Sequence, residues 1–473
     1  MSGGPLTTSV VAVFTKYLNK VHEVGDSYAV VEPGCYYRDF EKETLKKDLI
    51  LPSYPASRSI AAMGGIINND SGGERTLEYG KTRKYVDELD VVLSDGSQVT
   101  FKELTLSEVE EKKKLETLEG ALYRDMHRLI LENKDVIEAA RPKVSKNSAG
   151  YALWEVYDEA RGTFNLAKLV VGAQGTLGFV TKAKLSLIHP QPYRSMLVVF
   201  LKDIKDLPEI VRRVLALNPE SFESYDDHTF KLAIRFLPQM LSQMGFARAL
   251  RLGFSFIPEM LMALRGGVPK LVLMAEFSED THQIAVQRAT AAKEALREFG
   301  LPTKVLPTER QSEKYWVVRR ESFALLRKNL KGYYASPFID DFVVPPDSYP
   351  EFLPKLYSIL DEYKLIDTIA GHIGNGNFHI IPLMDLTKPE SHRVILELSR
   401  RVYDLVIEYG GTTTGEHNDG IIRTPYLPQL FGEKMMALFE ETKRIFDPLN
   451  LFNPGKKVGG TFADIERDLI TKI

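Results

Sequence analysis

The sequence predicts an α+β fold with more than one domain, and three observations indicate it. Short runs of β-branched residues, separated by glycine turns, occur between residues 9 and 101, as in VVAVF, YAVVE and LDVVLSDGSQVTF. From about residue 102 to 150 the charge density rises and apolar residues recur at helical spacing, which predicts a helical insertion. Beyond Pro190 and Pro192, strand-like and helix-like segments alternate, which is typical of a second α+β domain.

The length and the punctuation of the chain suggest where these domains end. At roughly 150 residues per domain, 473 residues predict two or three of them. We expect a first domain over residues 1–190 and a second over residues 191–425. A last segment, 426–473, contains the helix EKMMALFEETKRIF and the tail DPLNLFNPGKKV, and we expect it to return to the first domain.

Composition excludes several classes of function. The 61 basic and 64 acidic residues give a net charge of -3, so the chain has no global field with which to bind nucleic acid. The single cysteine, Cys35, allows neither an internal disulfide nor an iron–sulfur cluster nor a thiolate zinc site. The sequence contains neither a GxGxxG nor a GxxxxGK[ST] motif, so binding of a nicotinamide cofactor or a nucleoside triphosphate lacks its usual support. It contains neither a signal peptide nor an apolar stretch long enough to cross a bilayer, so we expect a cytoplasmic protein.

The most informative motif is a histidine hairpin, GHIGNGNFH at residues 371–379. Asn375-Gly376 is typical of a two-residue turn, which would place His372 directly opposite His379 with about 5 Å between their Cβ atoms. Two imidazoles so placed can bind one metal ion. Two alternatives are weaker: on one continuous strand the histidines would face opposite ways, and as isolated core residues each would need its own hydrogen-bond partner.

A third metal ligand is available after a predicted amphipathic helix over residues 391–409. The chain breaks there at Gly410-Gly411 and continues as TTTGEHNDG, in which Glu416 and His417 are adjacent. In such a loop neighbouring side chains point in different directions, so Glu416 can bind the metal while His417 acts as a base. The alternative is a solvated Glu-His pair in a surface turn.

Taken together, GHIGNGNFH, GEHNDG and FDPLNLFNPGK resemble the carboxyl-terminal domain of FAD-linked D-2-hydroxy-acid dehydrogenases, the family that contains D-lactate and D-2-hydroxyglutarate dehydrogenases and one component of glycolate oxidase. Upstream, LPSYPASRSIAAMGGIINNDSGG and LAKLVVGAQGTLGFVTKAKL resemble the family's FAD-binding domain. The resemblance implies a vanillyl-alcohol oxidase-type FAD-binding domain followed by a substrate-binding cap domain with an antiparallel sheet. It extends from residue 2 to about residue 458.

The resemblance also implies roles for single residues. His372, His379 and Glu416 match the ligands of a divalent metal, for which Zn, Mn and Fe are all suitable. His417 matches the base that takes the proton of the substrate hydroxyl, and Arg319 matches the arginine that binds the substrate carboxylate. Asn377 falls at an asparagine near flavin and substrate. The implied reaction is oxidation of a D-2-hydroxy acid to the 2-oxo acid with hydride transfer to FAD.

Two glycine-rich loops and the tail match the FAD-binding positions of the family. Glycine is expected where a Cβ atom would collide with a ligand. The residues assigned to FAD in this way are Ser2, Gly3, Gly4, Ser57, Gly64, Gly65, Asn68, Asn69, Gly72, Gly175, Thr176, Gly178, Val180 and Asn453.

The sequence departs from the family pattern in three places. Met1-Ser2-Gly3-Gly4 resembles the end of the family's pyrophosphate loop, so we expect an amino-terminally truncated FAD domain. Ala173-Gln174 stands where relatives usually have Ser-Glu, and Asn418 stands where glycine is commoner. The alternative function is therefore a non-catalytic or assembly-dependent subunit with an incomplete FAD site.

The expected partners are a small D-2-hydroxy acid and an electron acceptor, which would be a partner flavoprotein, an iron–sulfur protein, a quinone or a soluble acceptor. Residues 231–265 are basic and rich in methionine and phenylalanine. One hypothesis is that they contact this partner or lie on the inner face of a membrane. The alternative is a pair of core-facing helices with solvated arginines.

Overall fold

The structure, a computed structural model, describes residues 4, 6–229, 231, 267–329, 332–365 and 369–469. The chain forms two compact units. The first contains the chain up to Gly73, Tyr79–Pro190 and Thr412–Asp468, and the second contains Glu74–Glu78 and Gln191–Gly411. The domain limits suggested by the sequence, near residues 190 and 425, stay predictions. Almost all of the methionine-rich segment 231–265 lies outside the described residues.

The first unit is built on a five-stranded antiparallel sheet with the order β1-β2-β8-β3-β4. A small three-stranded sheet, β5-β7-β6, lies beside the helical insertion. The strands of this unit are β1 (Val21–Val24), β2 (Tyr28–Val31), β3 (Val86–Val92), β4 (Gln98–Lys102), β5 (Leu104–Thr105), β6 (Tyr157–Asp158), β7 (Thr163–Phe164) and β8 (Phe179–Ser186).

Helices of the first unit cover one continuous core that they share with the strands. In the insertion, Thr105 and Glu108 form a capping box that starts the first helix, and Leu122 and Met126 are fully buried on the second. Phe439, on the long carboxyl-terminal helix, belongs to the same core. The helices are Tyr37–Thr44, Met63–Asn68, Leu106–Lys113, Leu118–Glu132, Lys134–Ala139, Ala167–Val170, Gly420–Arg423, Leu427–Phe446 and Phe462–Asp468; Thr76–Tyr79 links to the second unit in sequence.

The second unit contains a seven-stranded antiparallel sheet with the order β12-β9-β11-β10-β15-β16-β14 and a separate pair, β13-β17. Its three central strands, β9, β11 and β10, are buried along almost their whole length. The strands are β9 (Tyr193–Leu201), β10 (Ser221–Asp226), β11 (Leu271–Glu279), β12 (Thr303–Leu306), β13 (Tyr334–Ala335), β14 (Phe342–Val343), β15 (Ile369–His372), β16 (Asn377–Ile380) and β17 (Leu383–Met384).

The helices of the second unit confirm the amphipathic pattern in the sequence. The helix predicted over residues 391–409 is observed as Pro389–Glu408, and its predicted apolar face, from Val394 to Val406, is buried. Tyr315 and Val318 pack the helix Glu309–Asn329 against the sheet, which positions Arg319. The remaining helices are Leu207–Leu215, His282–Ala295 and Tyr349–Tyr363. Among the described helices, none is both long enough and apolar enough to cross a membrane.

Candidate functional site

The histidine hairpin forms, but its predicted register is wrong. Strands β15 and β16 pair so that His372 lies opposite Asn377 and His379 lies opposite Ala370. The connection therefore has four residues instead of two: Ile373–Asn375 make a 3-10 turn and only Gly376 adopts a positive φ, 73°. A Cβ atom at Gly376 would lie 1.8 Å from the carbonyl oxygen of Val344, so the close approach of the backbone requires glycine here.

The two histidines nevertheless meet on one face of the hairpin. In this register they are diagonal neighbours, two positions apart along paired strands, and both side chains point the same way. Their ring centroids lie 5.2 Å apart with an interplanar angle of 85°. One ligand nitrogen of His372 lies within 4.8 Å of one ligand nitrogen of His379. The spacing fits shared binding of one metal ion.

Each histidine is backed by a buried carboxylate that no motif in the sequence indicates. His372 Nδ1 lies 2.5 Å from Glu223 Oε1, and His379 Nδ1 lies 2.9 Å from Asp340 Oδ1. An ionised carboxylate only accepts hydrogen bonds, so next to one Nδ1 is the donor and Nε2 is the nitrogen that can bind a metal. Metal-binding histidines characteristically donate their second nitrogen in this way, so the donor set fits a divalent metal.

Arg319 shares one of these carboxylates. Its Nε donates to Glu223 Oε2 at 3.2 Å, and its side chain is 16% exposed. Among the described residues, none accepts a hydrogen bond from the two Nη groups. A guanidinium held by Nε, with both Nη groups available, has the planar geometry that binds a carboxylate through two parallel hydrogen bonds.

Asn377 is fully buried and its amide is engaged by the protein itself. The amide Nδ2 donates to the carbonyls of Asp341 and Phe342 at 3.2 Å and to Asp341 Oδ1 at 3.1 Å. These bonds hold β16 to the segment that enters β14. The role near flavin and substrate that the resemblance assigns to Asn377 stays a prediction.

In the first unit, Glu416 and His417 lie in the loop between Gly411 and Gly420 that the sequence predicts. Glu416 is only 7% exposed and His417 is half-buried, so the alternative of a solvated surface turn is wrong. The Glu416 carboxylate forms an ion pair with the fully buried Lys146. Asn69 Nδ2 donates to the Glu416 carbonyl, and Ser148 Oγ donates to the Gly415 carbonyl. Lys146 was not identified from the sequence, since it lies 270 residues away along the chain.

The backbone conformation and hydrogen bonds of Asn418 explain how asparagine fits at this position, where the resemblance leads us to expect glycine. Its φ of 68° is in the left-handed region, which asparagine tolerates better than most residues. Its Nδ2 donates to the carbonyls of Gly172 at 2.9 Å and Asn69 at 3.3 Å, and its backbone N–H donates to Thr414 Oγ1. The asparagine therefore ties the loop that carries His417 to both glycine-rich loops.

The two glycine-rich loops of the first unit lie side by side, as their assignment to one cofactor requires. Asn68 accepts the backbone N–H of Gly175 through its side chain at 3.1 Å and that of Gln174 through its carbonyl at 2.8 Å. Asn453 of the tail joins them, because its Nδ2 donates to the Gln174 carbonyl at 2.7 Å. Residues 68, 174, 175 and 453 thus form one cluster.

The glycines of these loops fall into two groups. A Cβ atom at Gly65 or Gly175 would meet no atom of the described residues within 4 Å, so both positions border open space that a ligand can enter. At Gly64 a Cβ would lie 2.6 Å from Pro33 Cβ, and at Gly178 it would lie 2.7 Å from Val91 Cγ1. At Gly64 and Gly178, packing within the protein is therefore enough to explain why glycine is needed.

The other residues assigned to FAD differ in exposure. Thr176 and Val180 belong to the core, and the Thr176 hydroxyl lies 2.6 Å from that of Tyr151. Gln174 Nε2 is buried and has no hydrogen-bond partner among the described residues, which leaves a donor for a bound group. The open space at Gly65 and Gly175 and the buried donor of Gln174 together fit a site that binds a cofactor. Asn69 and Gly72 are buried and Gly4 and Ser57 are exposed, whereas Ser2 and Gly3 lie outside the described residues.

Two family models match the sequence. The model described as FAD linked oxidases, C-terminal domain, matches residues 190–457, which is more than half of the chain. The model described as FAD binding domain matches residues 1–102. The family predicted from the sequence motifs is therefore confirmed.

Curated relatives are similar at modest identity. The D-2-hydroxyglutarate dehydrogenase of Pseudomonas putida is 27% identical over 463 residues, which cover 96% of this chain and 44% of that protein. That of Escherichia coli is 25% identical with the same coverage. The D-lactate dehydrogenase of Archaeoglobus fulgidus is 25% identical over 460 residues, 97% of this chain and 84% of that protein. The chain thus spans less than half the length of the first two.

Solved structures share the fold. The 4-ethylphenol oxidase from Gulosibacter chungangensis superimposes with a TM-score of 0.62 at 15% identity, over 95% of this chain and 80% of that one. The p-cresol methylhydroxylase superimposes with a TM-score of 0.61 at 16% identity, over 94% of this chain and 79% of that one. The predicted vanillyl-alcohol oxidase-type α+β fold is confirmed.

Proposed function

This chain belongs to the family of FAD linked oxidases, and from that premise we propose that it oxidises a D-2-hydroxy acid to the 2-oxo acid with FAD and a divalent metal. Relatives named D-2-hydroxyglutarate dehydrogenase and D-lactate dehydrogenase support this substrate class. The single observation that carries the proposal is the pair of carboxylate-backed histidines next to Arg319 in the second unit.

His372 and His379 would hold the metal through Nε2, and Glu416 is proposed as the third ligand from the family motif. Two imidazoles and a carboxylate suit Zn²⁺, Mn²⁺ or Fe²⁺. When bound, such a metal is a Lewis acid that lowers the pKa of a coordinated hydroxyl. The buried ion pair with Lys146 fixes the position of the Glu416 carboxylate.

His417 would take the proton of the substrate hydroxyl. Histidine suits a base at neutral pH, because the pKa of an unperturbed imidazole lies near 6.5. Asn418 and the loop contacts of Glu416 hold the backbone on both sides of His417, so its position is defined by the glycine-rich loops. Bound FAD would supply the acceptor for the hydride that leaves Cα.

Arg319 would bind the carboxylate of the substrate. Its Nη groups can form two parallel hydrogen bonds with a carboxylate, which lysine cannot do. This contact orients the acid without selecting its side chain. The choice between D-lactate and D-2-hydroxyglutarate therefore depends on residues that contact the rest of the substrate. That the substrate belongs to this class of acids stays a prediction.

The proposal is tested by the visible spectrum of the purified chain after incubation with excess FAD and Zn²⁺ or Mn²⁺ and removal of unbound flavin. We expect stoichiometric bound flavin that bleaches anaerobically with D-lactate or D-2-hydroxyglutarate and not with the L enantiomers. Bound flavin that none of a panel of D-2-hydroxy acids bleaches would contradict the proposal. A chain that binds no flavin would instead favour the alternative, a non-catalytic or assembly-dependent subunit.

The electron acceptor and the contact made by residues 231–265 are further predictions of the proposal. If this segment binds a membrane or a partner, exchange of Arg248, Arg251 and Arg265 for glutamate reverses much of its charge and should weaken that binding. Binding of anionic vesicles that is equal for the triple variant and the unaltered chain would exclude the membrane contact.

A further inference from the structure

One buried carboxylate, that of Glu223, contacts two residues with different proposed roles. We propose that Glu223 is a positioning residue that fixes His372 for metal binding and Arg319 for binding of the substrate carboxylate, and so couples the two tasks. The inference rests on the proposed function. It adds a residue that neither the sequence motifs nor the named roles include.

Strand pairing explains why Glu223 reaches His372. Strand β10 pairs antiparallel with β15, and Ser224 lies opposite Gly371, so Glu223 is the next residue along β10 and lies beside His372. Its side chain is 1% exposed. A glutamate at this depth on a central strand has little freedom to change rotamer, so its two oxygens are fixed relative to the sheet.

The two oxygens of Glu223 serve different partners. Oε1 lies 2.5 Å from His372 Nδ1, and Oε2 lies 3.2 Å from Arg319 Nε. The first contact sets the tautomer of His372 and the rotation of its ring, so that the Nε2 lone pair has one direction. The second holds the guanidinium by its inner edge and leaves the outer edge, with both Nη groups, for a carboxylate.

Asp340 provides a matched comparison. It accepts from His379 Nδ1 at 2.9 Å and so supports a histidine in the same way as Glu223. Arg319, in contrast, has its ion pair with Glu223 alone among the described residues. Loss of either carboxylate should therefore weaken metal binding, but only loss of Glu223 should also release the arginine.

The experiment compares Glu223→Gln and Asp340→Asn with the unaltered flavin-loaded protein. Affinity for Co²⁺ and Zn²⁺ is measured on metal-stripped protein by competition with a chelator, and KM for the D-2-hydroxy acid is measured at saturating metal. We expect both variants to lose about 10- to 100-fold in metal affinity. Only Glu223→Gln should raise KM at saturating metal, by about tenfold, which corresponds to one weakened charge-assisted contact.

Two further variants control for misfolding and for the general effect of removing a buried carboxylate. Glu223→Asp keeps the buried charge but withdraws it by one methylene, and it should change both quantities in the same direction if Glu223→Gln does not fold. Asp226→Asn removes another buried carboxylate from β10, one that accepts the backbone N–H groups of Thr229 and Ile369, and it should leave both quantities unchanged.

The results of these measurements distinguish failure of the proposed metal site from failure of the role proposed for Glu223. If the unaltered protein binds no divalent metal, the proposed metal site fails and this inference fails with it. If the unaltered protein binds metal and the Glu223 variants retain its affinity and KM, the inference alone is overturned. A Glu223 variant that loses metal affinity but keeps KM at saturating metal overturns the coupling to Arg319.

Discussion

Lys457 and Asp419 form a completely buried ion pair, with Lys457 Nζ 2.9 Å from Asp419 Oδ2. The same Nζ donates to the carbonyls of Ser148 at 2.9 Å and Gly150 at 2.7 Å, so all three of its hydrogens have acceptors. Burial lowers the pKa of Lys457, and the Asp419 charge opposes this effect. One lysine of the NPGKK tail thus joins the loop that carries Glu416 and His417 to residues 148–150.

Replacement of this lysine should destabilise the first unit. Lys457→Met leaves the buried carboxylate of Asp419 without its cation, and breaking a buried pair in this way costs about 3–5 kcal/mol. Lys456→Met is the matched control, because within the described part of the chain Nζ of the neighbouring lysine donates only to the Pro454 carbonyl, at 3.5 Å. Urea unfolding followed by circular dichroism measures both. Equal losses in the free energy of unfolding of the two variants would show that the ion pair does not stabilise the first unit.

His417 should be essential for flavin reduction and dispensable for metal binding. A general base contributes about 10²- to 10⁴-fold, so His417→Ala should slow anaerobic flavin bleaching by at least about 100-fold. Zn²⁺ affinity should stay within a few-fold, since His417 is not among the proposed ligands. His189→Ala, which removes an exposed histidine of the same unit, should retain full bleaching. Undiminished flavin bleaching by the His417 variant would remove that residue from the role of base.

Much of the fold could be predicted because its signals are local. The helix Pro389–Glu408 shows its apolar face in the sequence itself, and the loop that carries Glu416 is bounded by glycines on both sides. The hairpin register could not be predicted in the same way. The Asn375-Gly376 pair favours a two-residue turn, but Asn375 joins a 3-10 turn instead, and packing of Gly376 against Val344 fixes the longer connection.

The supporting residues of the site were missed because their positions depend on long-range pairing. Glu223 lies 149 residues from His372 along the chain, and it is adjacent only because β10 pairs with β15. Lys146 lies in a segment without regular secondary structure that follows the helix Lys134–Ala139, and nothing in the sequence around it indicates that its whole side chain is buried, because lysine is ordinarily exposed. Ligand types can be read from motifs, whereas the groups that orient the ligands require the strand order.

The hairpin glycine offers a direct test of the observed turn. At Gly376 an alanine would need a positive φ and would collide with the Val344 carbonyl, so Gly376→Ala should destabilise the second unit by several kcal/mol. Gly410→Ala also imposes a positive φ, 69°, but no atom of the described residues would lie within 4 Å of the new Cβ, so the substitution should cost only about 1 kcal/mol. Urea midpoints that fall equally would contradict the close approach of Gly376 to the Val344 carbonyl.

A buried carboxyl on β11 should make the stability of the second unit depend on pH. Burial and the nearby charge of Glu220 raise the pKa of Glu276 to about 7, although Arg194 lowers it in part. Trp316 Nε1 donates to the same carboxyl at 3.2 Å, and Glu74 adds a smaller repulsion. In the unfolded chain the group titrates near a pKa of about 4.3.

The direction in which stability changes with pH follows from the number of protons that the folded and unfolded states bind. Between about pH 4.3 and 7 the folded state binds more protons at Glu276 than the unfolded state does, so this group's contribution to stability falls as pH rises through that window and is level above it. Glu276→Gln resembles the protonated carboxyl in shape and does not titrate. The variant should therefore exceed the unaltered protein in free energy of unfolding by much more near pH 8 than near pH 5.

Urea unfolding at pH 5 and pH 8 measures this difference for both proteins. Glu279→Gln is the control on the same strand: Glu279 forms an ion pair with Arg288, so its replacement removes an attraction and should lower stability at pH 8. The opposite signs of the two glutamine variants at pH 8 distinguish a repelled, desolvated carboxyl from a paired one. A Glu276→Gln variant that is less stable than the unaltered protein at pH 8 would mean that the attraction to Arg194 outweighs burial and repulsion together.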